Sequence, residues 1–262
     1  MDRETYKKAV DALSFSPDFQ ERTEAELRRR SEESKKEITK MKFLKRPVVI
    51  AAIIALLTVS ASAVALRLSA SEVAENFGQH TLARAFEDNN AVTVNETVES
   101  GDYAITLMGL TSGANLDDLN ADVDVTHTYA VVALERLDGT PLETQTFSLI
   151  DHVVTPLVSG YAPWAVNNWT LHAHVTGSAV DGAYYFLLDA GELGIFADHT
   201  VYLAFYEGGG APSAEKFVIA EDGSIAFAED YQGAHALFVL PLDPSLADPA
   251  AEALVAPWLP PV

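Results

Sequence analysis

The stretch that organises this chain is VVIAAIIALLTVSASAVAL, Val48 to Leu66, which carries no charge and follows Pro47. As an α-helix its nineteen residues would measure roughly 28–30 Å, the thickness of a bilayer's hydrocarbon core. Every face of that helix would be apolar or small, unlike the single apolar stripe of a helix packed on a soluble core. A cleavable signal peptide is the competing reading, and Ser60-Ala61-Ser62-Ala63 supplies small residues for a cut. Such a signal has a short leader, however, whereas 46 residues precede Pro47 here. The stretch therefore predicts one membrane span over residues 47–67.

Charge divides around it. Residues 1–46 hold thirteen Lys/Arg and ten Asp/Glu; residues 47–262 hold four basic and twenty-eight acidic residues. Lys35, Lys36, Lys40, Lys42, Lys45 and Arg46 crowd the N-terminal flank, while Arg67 and then Arg84 are the first basic residues beyond. The positive-inside bias puts residues 1–46 in the cytoplasm and the rest outside a cell membrane crossed once. The acidic part would repel nucleic acid and anionic lipid alike, so no nucleic-acid partner is expected. The bilayer is contacted through residues 47–67. The chain has no cysteine, which removes disulfides, thiolate metal sites and cysteine nucleophiles.

Tyr6, Val10 and Leu13 recur with helical spacing, and Ser16-Pro17 opens a second helix running toward Lys45. Glu24–Arg28, Glu26–Arg30 and Glu32–Lys36 are acid-before-base pairs four residues apart, as on a solvated helix. So small a segment cannot bury its own apolar stripe. Tyr6, Val10, Leu13, Phe15, Phe19 and Leu27 are the candidate partner-binding residues. A plain charged stalk feeding the membrane is the other reading of the same residues.

Beyond the apolar run, Ser69 and Glu72 have capping-box spacing, and Val73, Phe77, Leu82 and Phe86 fit a short helix or a pair broken at Gly78. Residues 68–90 are thus a helical connector. From residue 91 short aromatic and β-branched runs alternate with Gly, Asp and Pro turns. Strands are expected at Val92–Val94, Tyr103–Leu107, Tyr129–Leu134, His152–Val158, Trp169–Val175, Ala183–Leu188, Thr200–Tyr206, Phe217–Ala220 and Ala234–Leu240. Glu221-Asp222-Gly223-Ser224 marks a hairpin to Ile225–Phe227, and Asp248-Pro249 opens a short helix near Ala250–Val255. The expected class is α+β: a short helical cytoplasmic segment, one transmembrane helix and a mainly antiparallel, sandwich-like extracytoplasmic β domain over 91–262.

Several stretches resemble a known group of proteins: Phe15-Ser16-Pro17-Asp18-Phe19, Asn95-Glu96-Thr97-Val98 with Tyr103–Leu110, Thr128–Leu134 with Asp138-Gly139-Thr140-Pro141, and Phe196–Leu203. The group is the single-span, anti-sigma-factor-like membrane proteins of Gram-positive bacteria with an extracytoplasmic domain of unknown function. The resemblance implies a cytoplasmic segment that holds a sigma factor. Its zinc-binding subtype is excluded, because the chain has no Cys and no His before His80. The function expected is a membrane-anchored regulator of transcription; a stalked surface binding module is the alternative.

No enzyme, cofactor or metal site is expected. Asp118, Asn120, Asp122 and Asp124 alternate like calcium ligands, but Val123 and Tyr129 stand where a helix–loop–helix calcium loop needs Gly and Glu. His172 and His174 would share one face of a strand with no third ligand fixed by sequence. Asp151-His152 and Asp198-His199 are sequence neighbours that a strand turns to opposite sides. Ser112, Ser159 and Ser178 lack a nucleophile-elbow context, and Gly208-Gly209-Gly210 lacks the Lys-Ser/Thr of a phosphate loop. Trp164, Trp169, Tyr184, Tyr185, Tyr202 and Tyr206 are expected to fill the core.

Overall fold

A computed structural model describes residues 68–89, 91–113, 123–143 and 151–259. It is β-rich, with mostly antiparallel sheets and few helices. Helix α1 (Ala70–Asn76) begins where the sequence places it. The Ser69 side chain accepts from the Glu72 N–H, and the Glu72 carboxylate accepts from the Ser69 N–H, closing the capping box. Gly78, at φ 75°, breaks the chain into α2 (His80–Glu87). The strands are β1 (Val92–Ser100), β2 (Tyr103–Ser112), β3 (Thr128–Arg136), β4 (His152–Val158), β5 (His174–Val180) and β6 (Ala183–Ala190). They continue with β7 (Val201–Glu207), β8 (Phe217–Ile219), β9 (Ile225–Phe227) and β10 (His235–Val239), and α3 (Ala250–Val255) follows.

Among the described residues the strands form three antiparallel sheets. One has the order β1-β2-β3-β6-β5, the second β10-β7-β4, and the third is the β8-β9 hairpin. Period-two alternation sends successive side chains to opposite faces, and here both faces of the central strands are covered. Ala130, Val132 and Leu134 of β3 join Phe186 of β6 and Leu203 and Phe205 of β7 in the main core between the two larger sheets. The Phe186 and Phe205 rings meet edge to face at 5.6 Å across that core. The intervening residues Tyr129, Val131 and Ala133 turn the other way, against Val73 of α1 and Leu82 of α2. On the far side, Tyr202, Ala204 and Tyr206 of β7 pack on Phe217 and Ile225 of the β8-β9 hairpin. The layers run helix pair, five-stranded sheet, three-stranded sheet, hairpin.

Two irregularities set the phase. Met108 is the extra residue where the β2–β3 register shifts between Leu107 and Gly109, so Leu107 and Leu110 both reach the main core while Met108 faces the helices. Opposite it, β1 shifts register between Thr93 and Glu96, with Asn95 at φ 53°. β4 is an edge strand, paired on one side with β7 and holding Pro156 opposite Leu203.

The expected strand at Trp169–Val175 is corrected. Residues 169–172 are turn, His172 sits at φ 49°, and β5 starts only at His174. The aromatic expectation is corrected in part: Tyr184, Tyr185, Tyr202 and Tyr206 are buried, but Trp164 is 47% and Trp169 71% exposed.

Four turns share one device. Asp124, Asp138, Asp222 and Asp243 each accept the backbone N–H of the residue two places on, at 2.8–3.0 Å. The Ser224 hydroxyl, 2.7 Å away, and then its backbone N–H hold Asp222 below the ordinary aspartate value of 3.8. The charged carboxylate is thus favoured in the folded state, and its stabilisation is present above 3.8 and lost as pH falls through the lower folded value. Replacing Asp222 by Ala is expected to lower the melting temperature at pH 7. The gap to the parent chain should vanish in strong acid; a gap unchanged at pH 2 would contradict the assignment.

Candidate functional site

The site begins with four segments that the fold gathers at one end of the stacked sheets. The end of β2 brings Leu110 and Thr111, and the approach to β3 brings Val125, Thr126 and His127. The turn after β6 brings Glu192 and Ile195, and the stretch after β10 brings Leu242, Asp243 and Leu246. They enclose two adjoining hollows of about 620 and 470 Å³ that share Thr126, Glu192 and Ile195. Both volumes lie in the range of about 300–1,000 Å³ usual for ligand sites.

Local chemistry explains how each wall is held. The Gly113 N–H donates to the His127 carbonyl at 2.9 Å, tying the end of β2 to the segment entering β3. Asp124 accepts from both Thr126 N–H and Oγ1, at 2.9 and 2.8 Å. The Thr126 backbone bond is the main reason its carboxyl lies below the usual range, with His127 adding a smaller pull. The Asp124 N–H donates to the Tyr129 hydroxyl at 2.9 Å, and burial pushes that phenol up to about 12. A 3-10 turn, Leu193–Phe196, sets Leu193 and Phe196 into the core and leaves Ile195 facing the hollows. Asp243 accepts from the Ser245 N–H and so caps the 3-10 turn Pro244–Leu246.

His127 lines the smaller hollow. Its Nδ1 lies 2.5 Å from Asp189 Oδ1 of β6, and its Nε2 3.5 Å from Asp124 Oδ2. Two carboxylates thus hold the ring from opposite sides. The nearby Thr126 hydroxyl donates to Asp124 Oδ1 at 2.8 Å. Among the described residues no group of three His, Cys, Asp or Glu has metal-binding geometry.

The chain matches no protein-family model, no curated protein and no solved structure.

The sequence candidates fall as follows. Tyr6, Val10, Leu13, Phe15, Phe19 and Leu27 lie outside the described residues, as do the Val48–Leu66 run and Asp118, Asn120 and Asp122. Among the described residues no helix is long and apolar enough to cross a membrane. His172 and His174 do not share a strand face, because His172 belongs to the turn before β5 and lines the smaller hollow. Asp198, His199 and Ser159 come together in the wrong order for a triad. His199 Nδ1 meets the Ser159 carbonyl at 2.9 Å, Asp198 is 3.9 Å from Nε2, and the Ser159 hydroxyl accepts from Thr200 N–H. His152 is turned into the core beside Tyr103 and Phe205, while its neighbour Asp151 is exposed. The hollows themselves were not visible in the sequence, since Leu110, Val125, Ile195 and Leu246 come from four distant segments. Val125 and Leu246, each 52% exposed, are the two whose apolar character in polar stretches could have signalled a surface.

Proposed function

We propose that this protein is a membrane-anchored, anti-sigma-factor-like regulator whose β domain lies outside and whose cytoplasmic helices sequester a sigma factor. The carrying observation is the anchoring of Leu68, the first described residue after the apolar run. Leu68, two residues past Leu66, packs against the helix–sheet core, and its N–H donates to the Tyr185 hydroxyl of β6 at 3.4 Å. A span ending at Leu66 would therefore join the five-stranded sheet through a capped helix with almost no slack. From α2 a second link leads to the candidate site: Thr111, which lines the larger hollow, donates through Oγ1 to the Ala85 carbonyl at 3.0 Å. Such a chain of contacts suits a domain that passes a binding event to its anchor. Residues 1–46 supply the basic, apolar-striped inner segment that the mechanism needs. A held sigma factor cannot engage polymerase, and release follows when the outer domain changes state.

The test is a strain carrying the full chain and a reporter for its target promoter. Replacing Tyr6, Val10 and Phe19 together by Asp is expected to relieve repression at unchanged protein level, and the parent chain should co-purify with a transcription component. A reporter indifferent to the triple substitution would favour the stalked surface binding module, which the hollows at the sheet end fit equally well.

A further inference from the structure

We propose that the groove formed by the two adjoining hollows binds a cationic amphipathic peptide, with apolar side chains in both compartments and an amine or guanidinium group at Glu192 and Asp243. This deepens the sensor half of the reading above and rests on it only for the groove facing outside.

Four observations converge. First, the walls are apolar where a surface would ordinarily be polar. Val92, Val125 and Leu246 are 38%, 52% and 52% exposed, and all three line the larger compartment. Second, the polar groups at the groove are acidic where it matters. Glu192 is exposed and belongs to both compartments, and Asp243 stands at the rim of the larger one. Among the described residues the Glu192 carboxylate has no partner. Third, among the described residues no Lys or Arg answers these charges. Arg84, Arg136 and Lys216 are the basic residues described, and none lines the groove. Arg136 lies over the Tyr103 ring at 5.4 Å, and Lys216 is committed to the Gly209 and Ala211 carbonyls. Fourth, the whole part after residue 46 carries four basic against twenty-eight acidic residues, a field that draws polycations and repels anionic polymers.

The shape selects a peptide over a compact cation. The shared position of Glu192 puts one carboxylate between two apolar compartments. A ligand that fills both must be extended, apolar at two places and basic between them. An amphipathic peptide meets that pattern, whereas a neutral sugar or an anionic lipid leaves Glu192 desolvated without a partner.

The three tryptophans supply the readout. Trp164 and Trp169 lie on the segment that leads to Leu171 and His172, and Trp258 follows α3, which contributes Ala250 and Leu254 to the same compartment. All three are about half exposed or more. The full chain in a non-ionic detergent would be titrated with a short Lys/Leu amphipathic peptide lacking aromatic residues, and tryptophan emission followed. Saturable binding that weakens with salt is expected. The same peptide with Glu in place of Lys, or with Ser in place of Leu, should not bind. Glu192→Gln with Asp243→Asn should weaken binding by about tenfold or more and flatten its salt dependence. Leu246→Ser with Val125→Ser should weaken it comparably while leaving the melting temperature close to the parent's. Equal binding of the acidic peptide, indifference to both pairs of substitutions, or no saturable binding would overturn the proposal. So would a dimer whose contact buries the groove, since the occupant would then be a second copy. Binding is read on the purified chain and repression in the reporter strain, so either reading can fail while the other stands.

Discussion

Phe205→Ala is expected to lower the free energy of unfolding by about 3–5 kcal/mol, the cost of emptying a large site in a packed core. Phe205 is fully buried at the middle of β7, the central strand of the three-stranded sheet. Its ring meets Phe186 of the five-stranded sheet at 5.6 Å and His152 of β4 at 5.9 Å. One side chain thus fills space between the two sheets and also carries an edge-to-face contact, worth about 0.5–1.5 kcal/mol beyond area. The neighbouring strands are fixed by backbone ladders on both sides of β7, so the walls cannot collapse to refill the void. Chemical denaturation should show an earlier midpoint with an unchanged slope. A loss below 1 kcal/mol would mean that the sheets do not share this core.

Gly113→Ala carries the second large effect, expected at about 1–3 kcal/mol or more, because the added carbon overpacks the structure against backbone. It would overlap the Asp124 carbonyl oxygen, with the Asp124 carbonyl carbon at 2.7 Å and Val125 Cα at 2.9 Å. No rotamer change relieves such a contact, so residues 124–127 must shift away from β2. That shift would break the Gly113 N–H bond to His127 and displace Val125 and Thr126, two walls of the groove. The variant should therefore lose both stability and peptide affinity, whereas Leu246→Ser should lose affinity alone. A Gly113→Ala chain with parental melting temperature and parental affinity would show that the 124–127 segment is not seated on β2.

Much of the fold is legible because local chemistry dictates it. Ser69 and Glu72 sit at the spacing that closes a capping box, and Asp222-Gly223 turns β8 into β9 as the hairpin pattern requires, with Gly223 at φ 81°. The division of strands between the two larger sheets is not legible, since β3 and β6, and β4 and β7, pair across long stretches of chain. Trp169–Val175 misleads because its aromatic and β-branched residues imitate a strand, while β5 starts only at His174 and runs through the small residues Gly177, Ser178 and Ala179 at a sheet edge. Trp169, expected on that strand, and Trp164, expected in the core, both lie on the turn segment between β4 and β5 and stay exposed. The groove escapes sequence reading because its walls come from segments far apart in the chain: Leu110 lies near the end of β2, Ile195 follows β6 and Leu246 follows β10.

Pro156 lies on β4, which among the described residues pairs with β7 alone. An outermost strand ordinarily offers a row of free N–H and C=O groups on which another polypeptide can dock and seed fibres. Proline brings no N–H to the unpaired side of β4, so an incoming chain would find the row interrupted at its middle. Pro156 is itself buried between Thr155 and Leu157, so the N–H that a Pro156→Val exchange adds would need a partner inside the protein, and a lower melting temperature is the expected cost.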